Sequence, residues 1–154
     1  MSEARRIADQ LKRSHHGPAW SGPALGELLQ NVDRALAQQR FLPGAHNIWE
    51  LVLHITAWQA AALCAVKGGT MPELDVHDDW PATGHAEQDW RDAVARLDHV
   101  NQELGAALSD FPDERLADKV PGRDYSFYFL LHGIAQHNLY HAGQMAMLKV
   151  AARA

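Results

Sequence analysis

Apolar residues recur at intervals of three and four along most of the chain, a period typical of amphipathic α-helices. Strict apolar/polar alternation, the mark of a half-buried strand, is absent. The pattern divides into an N-terminal arm interrupted at Gly17-Pro18, a helix over about 47–67, a helix from about 83 to 111 and a last helix over about 125–150. The arm is either one interrupted helix or two short ones. We therefore predict an all-α fold, most simply a four-helix bundle with a long crossover connection.

Capping residues and glycines predict where these helices begin and end. Asn47, followed by Glu50 three residues later, resembles a capping box at the start of the second long helix, and Gly68-Gly69 ends that helix. Thr83 is the expected cap of the third. Residues 68–82 are typical of a loop, long enough to run from one end of a bundle to the other. The acidic residues of this loop are expected to be solvated: Asp75, Asp78 and Asp79.

Three histidines fall on helix faces that the pattern turns toward the core. His137 and His141 are four residues apart, so they share one face with Cβ atoms about 5–6 Å apart. His54 likewise has apolar neighbours at helical spacing, Leu51 and Trp58 among them. Each buried imidazole needs a polar partner, and one shared cation satisfies all three at once. We predict that His54, His137 and His141 bind a metal ion.

The spacing alone is weak evidence, because ten histidines in 154 residues give about 0.6 such pairs by chance. The alternative interpretation is three core histidines, each hydrogen-bonded to a neighbouring group. His46, just before the helix that carries His54, is a candidate for lining the mouth of the site. All histidines other than the three candidate ligands are expected at the surface or in caps, His46 included. They are His15, His16, His46, His77, His85, His99 and His132.

Three nitrogen ligands would leave open positions on the metal, as in catalytic rather than closed structural sites. The nucleophile would then be either an acidified water or a substrate thiol held as thiolate. Asn138 stands where a zinc peptidase has its glutamate, which excludes His-Glu-x-x-His chemistry. Glu50, one turn before His54, orients that ring, relays a proton or serves only as a helix cap.

Length and composition indicate a single domain over 1–154, with enough apolar residues for its own core. The net charge of -5 and the scattered basic residues argue against a nucleic-acid partner. The single cysteine, Cys64, has no partner for an internal disulfide. Since no apolar run approaches the 18 or so residues of a membrane span, we expect a cytoplasmic protein without a membrane partner.

Four segments carry a family resemblance: Trp20-Ser21-Gly22-Pro23, the octapeptide over 48–55, Pro121-Gly122-Arg123-Asp124-Tyr125, and the stretch over 132–144. Together they resemble the DinB-like superfamily of metalloenzymes. The resemblance implies a four-helix bundle and a divalent metal, commonly zinc or nickel, held by His54, His137 and His141. It also implies a homodimer. Several members use a low-molecular-weight thiol cosubstrate, mycothiol or bacillithiol, and join it to an electrophile.

Two functions are therefore in competition. The first is a metal-dependent enzyme acting on a small-molecule substrate through an open three-histidine site, as a hydrolase or a small-thiol S-transferase. The second is a non-catalytic metal-binding module for stress response or interaction. Two further residues have open roles. Arg123 either receives a substrate carboxylate or is a solvated loop residue. Tyr140 either packs with its hydroxyl bonded or acts as an acid.

Overall fold

The computed structural model describes residues 1–153, which contain seven α-helices, a short 3₁₀ helix and no strand. The predicted all-α fold is confirmed. Four of the helices are long and form the bundle, namely α1, α4, α6 and α7. In chain order the elements are α1 Glu3–His16, α2 Leu25–Leu29, α3 Arg34–Gln38, α4 Ile48–Val66, α5 Val76–Asp79, α6 Glu87–Ser109, the 3₁₀ helix Asp113–Ala117 and α7 Phe127–Ala151.

Contacts between α4 and α6 show that these two helices run in the same direction. Near their N-terminal ends, the rings of Trp49 and Trp90 lie 5.5 Å apart. Further along both helices, the Lys67 Nζ lies 3.3 Å from a carboxylate oxygen of Glu103. Two parallel neighbours in a bundle require a connection that returns along its length. Residues 67–86 make that return, so the crossover predicted for this segment is present.

The capping box predicted at the start of α4 is present. The Asn47 Oδ1 accepts from the Glu50 amide at 2.8 Å, and the Glu50 carboxylate accepts from the Asn47 amide at 2.9 Å. The predicted N-cap of the third long helix, Thr83, is wrong by three residues, because the observed N-cap is Ala86. Helix α6 begins at Glu87 because the Asp89 carboxylate accepts from the amides of Ala86 and His85, and these two bonds hold its pKa below the usual value.

Helix α4 contradicts the expectation that no apolar segment approaches the length of a membrane span. Over Ile48–Val66 its composition and length satisfy the requirement for a membrane span, with a mean hydropathy of 1.3. In the bundle, 61% of that window is buried, and the helix packs against both α6 and α7. Burial in the protein core therefore accounts for its apolar character, as it does for the central helix of many bundles.

A chain of buried polar side chains crosses the middle of the bundle, and each long helix supplies one of them. The Asn101 amide donates to the Gln59 side-chain oxygen at 3.1 Å, and the Gln59 amide donates to the Asn138 oxygen at 3.1 Å. Asn138 in turn donates to the Ser14 hydroxyl at 3.0 Å, which donates to the Leu11 carbonyl. The four side chains are almost fully buried. This row of polar side chains separates two apolar clusters, one toward each end of the bundle.

Candidate metal centre

The imidazoles of His54, His137 and His141 converge between α4 and α7. The His137 Nε2 lies 2.9 Å from the His54 Nε2 and 3.0 Å from the His141 Nε2. His54 and His141 are buried and His137 is half-buried. The two helices thus bring together the three rings that the sequence pattern singled out, and each ring turns the same nitrogen toward a common point.

The opposite nitrogens of two rings are hydrogen-bonded outward. The His54 Nδ1 lies 2.8 Å from the Asp79 carbonyl oxygen and 2.9 Å from its carboxylate, and the His141 Nδ1 lies 2.6 Å from the Gln144 side-chain oxygen. These oxygens only accept, so each Nδ1 carries the proton and donates it. The Nε2 atoms of His54 and His141 therefore present lone pairs toward the common point. A proton on the His137 Nε2 can be donated to only one of these two nitrogens, whereas one cation at the common point accepts the lone pairs of all three rings.

The arrangement fits a transition-metal ion. Bonds from zinc to imidazole nitrogen are about 2.0–2.1 Å long, which separates neighbouring nitrogen ligands by about 2.9 Å at a right angle and about 3.3 Å at the tetrahedral angle. The observed separations of 2.9 and 3.0 Å lie at the short end of this range, so a bound ion requires at most a small outward movement of the rings. A donor set made only of imidazoles suits zinc, nickel, copper or iron better than magnesium or calcium. His54, His137 and His141 are therefore able to hold such an ion.

The surroundings keep the His137 and His141 rings uncharged. Burial is the main cause that lowers the pKa of His137 to about 3, and the neighbouring His141 and His54 lower it further. Burial also lowers the pKa of His141, partly opposed by its hydrogen bond with Gln144. At neutral pH both rings are therefore neutral, which is the protonation state that a metal ligand needs.

The crossover supplies two residues of the site that the sequence did not predict, Asp79 and Trp80. The Asp79 carboxylate accepts from the Trp58 indole at 2.6 Å as well as from His54. Trp80 lies parallel to the His54 ring at a centroid distance of 3.9 Å. The expectation that Asp79 is solvated is wrong, because the crossover places its carboxylate against His54 and Trp58. Asp78 is exposed, as expected.

Glu50 lies outside this arrangement. Besides capping α4, its carboxylate pairs with Arg40 and lies 3.2 Å from the His46 Nδ1. The outward contact of the His54 ring is made by Asp79 instead. His46 itself stacks on the free face of Trp80 at 3.5 Å. The capping alternative for Glu50 thus has contacts that support it, and Trp80 separates His46 from the His54 ring.

Three other residues singled out in the sequence have different environments. Arg123 donates to the backbone carbonyls of Gly122 and Pro72 at 2.9 and 2.6 Å. Its guanidinium therefore links two loop segments. Tyr140 is largely exposed beside His141. The expectation of a surface role for His15 is wrong, because the last turn of α1 packs against α6 and buries that ring beside Asp98.

Two cavities open on either side of Tyr140 and His141. All three histidines line the first, whose volume is about 420 Å³. The second has a volume of about 670 Å³ and is lined by His46, Trp80 and, of the three histidines, only His141. A small molecule in the first cavity therefore reaches the point on which the three Nε2 atoms converge.

Comparisons with known proteins give one family. A family model described as the DinB superfamily matches residues 19–145, which include all three histidines. The chain is also 25% identical, over 88% of its length, to the Xenopus laevis "Retroviral integration site protein Fli-1 homolog". It is 26% identical, over 69% of its length, to the "Friend leukemia integration 1 transcription factor" of Homo sapiens and of Bos taurus. The chain spans 33% of the first relative and 23% of the other two. No solved structure matches.

Proposed function

The chain belongs to the DinB superfamily, and from this membership and the three converging histidines we propose that it is a metal-dependent enzyme acting on a small molecule. His54, His137 and His141 hold a divalent ion, zinc or nickel. The reaction is either a hydrolysis or the transfer of a small thiol to an electrophile.

One observation carries this proposal, namely that the Nε2 atoms of three imidazoles converge while the Nδ1 atoms of His54 and His141 donate to oxygen acceptors. Among residues 1–153 no fourth protein ligand joins the three histidines, which is the pattern of a catalytic site because a position remains for water or substrate. The adjoining cavity of about 420 Å³ supports a small-molecule substrate, since ligand sites typically have volumes of about 300–1,000 Å³.

When bound, the ion supplies Lewis-acid chemistry that lowers the pKa of a water or thiol donor. The residues of the chain prepare the site for it. Asp79 fixes the tautomer and the orientation of His54. Gln144 does the same for the tautomer of His141. The Trp80 indole covers one face of His54 and excludes water from it.

The proposal predicts an activity that depends on the metal and on His137. The purified protein, loaded with zinc or nickel, is screened for hydrolysis of activated esters and for conjugation of small thiols to aromatic electrophiles. We expect activity in at least one screen, and we expect both chelation and His137→Ala to abolish it. Restoring the metal after chelation restores activity in the native chain only.

Two outcomes would contradict the enzymatic proposal. One is activity that persists after chelation and in His137→Ala. The other is a metal-loaded protein that is inactive in every screen, with a melting temperature that falls when the metal is removed. The second outcome favours the alternative of a non-catalytic metal-binding module, because a ligand that binds only the folded state stabilises it.

A further inference from the structure

We infer that the small molecule bound beside the three histidines is an uncharged aromatic or apolar compound that presents one donor group to the metal. This inference rests on the proposed function and adds the class of substrate. It follows from which cavity reaches the site and from the chemistry of that cavity's walls.

The cavity of about 420 Å³ is the one that reaches the site, since His54, His137 and His141 all line it. The larger cavity meets His141 alone among the three, and Trp80 stands between it and the His54 ring. A molecule whose donor atom lies at the convergence of the Nε2 atoms must therefore place its body in the smaller cavity.

The walls of this cavity are mainly apolar and aromatic. Leu130 and Ile134 are buried and form its inner wall, whereas Phe129 and Tyr140 are exposed and form its rim. Apolar contact area is what such walls offer a ligand, and aromatic side chains favour stacked or edge-to-face contact with another ring. The lining beyond the histidines and Asp79 is Trp58, Tyr125, Phe129, Leu130, Gly133, Ile134 and Tyr140.

Charged groups of the cavity do not favour an anionic ligand body. The residues that line it in the described part of the chain include no lysine or arginine. Its one carboxylate, Asp79, is negative and already accepts from His54 and Trp58. Arg123 is bonded to the carbonyls of Gly122 and Pro72. A carboxylate on the ligand body would therefore lose hydration without gaining a cation, which is costly in an apolar site.

Three hydroxamates that share one metal-binding group test the inference. Acetohydroxamate carries a methyl group, benzohydroxamate a phenyl ring, and 4-carboxybenzohydroxamate a phenyl ring with an added negative charge. Binding to the cobalt-loaded full chain is followed through the visible spectrum of the ion. We expect benzohydroxamate to bind at least about tenfold more tightly than acetohydroxamate, because the ring buries apolar area. The para-carboxylate is expected to cancel this gain.

A charge introduced at the rim tests the location. Phe129 is exposed, so Phe129→Lys places a cation at the cavity mouth without opening the core. This variant is expected to bind 4-carboxybenzohydroxamate at least about fivefold more tightly than the native chain does. Val150→Lys is the matched control, since Val150 is an exposed apolar residue of the same helix that lines neither cavity at the site. It is expected to leave all three affinities unchanged.

The outcomes separate this inference from the proposed function. If cobalt does not bind, the metal site and the inference both fail. If cobalt binds but the native chain holds acetohydroxamate and benzohydroxamate equally, or prefers the carboxylated ring, the inference alone is overturned. Equal effects of Phe129→Lys and Val150→Lys would likewise overturn the assignment of the ligand to this cavity.

Discussion

Replacing Asp79 with alanine is expected to weaken metal binding about 10- to 100-fold, the usual cost of losing a hydrogen-bond partner behind a metal ligand. The Asp79 carboxylate accepts from the His54 Nδ1 at 2.9 Å and from the Trp58 indole at 2.6 Å. Without it, His54 keeps only the carbonyl contact at 2.8 Å, and its ring is oriented by one acceptor instead of two. Competition against a chromophoric chelator measures the affinity.

Asp78→Ala is the matched control for this variant, because Asp78 is the exposed neighbour in the same short helix. It is expected to bind the metal as tightly as the native chain. The unfolding midpoint of the two variants without metal shows whether either has lost structure. Equal affinities for Asp79→Ala and Asp78→Ala, in proteins of equal stability, would contradict the role assigned to Asp79.

Replacing Gln59 with leucine is expected to lower the free energy of unfolding by about 2–6 kcal/mol. The Gln59 side chain joins Asn101 and Asn138, and all three are buried. Leucine has a similar volume, but it leaves an amide of Asn101 and an oxygen of Asn138 unpaired in the core. Each buried group left without a partner costs about 1–3 kcal/mol. Urea denaturation measures the loss.

Gln102→Leu makes the same change of side chain at an exposed position of α6, where the glutamine amide bonds only the Asp98 carboxylate. Its effect is expected to lie within about 0.5 kcal/mol of zero. A loss for Gln59→Leu as small as that of Gln102→Leu would mean that the buried amides find other partners, and that the polar chain across the bundle does not stabilise the fold.

The period of apolar residues was sufficient to predict the features that depend on local spacing. It predicted the last three long helices and placed His137 and His141 on one inward face, because positions four apart on a helix coincide whatever surrounds them. The N-terminal arm, predicted as one interrupted helix or two short ones, instead forms α1, α2 and α3. The capping box of Asn47 and Glu50 was predictable for the same reason, since both partners lie within one turn.

Features that depend on tertiary contact were not predictable in this way. Asp79 and Trp80 lie in a polar stretch without periodicity, and their place beside His54 depends on the path of the crossover. His15 is buried only because α1 packs against α6. The only local signal for Asp79 and Trp80 was a tryptophan next to an aspartate within an otherwise polar loop. Such a dipeptide is too common in loops to indicate a functional site.

X-ray absorption spectroscopy of the zinc-loaded protein tests the central claim most directly. The account predicts one zinc ion per chain, bound by three imidazole nitrogens at about 2.0–2.1 Å, with the remaining coordination supplied by exchangeable ligands. Fewer than three imidazoles around the ion, or a complete shell of four protein ligands, would contradict it.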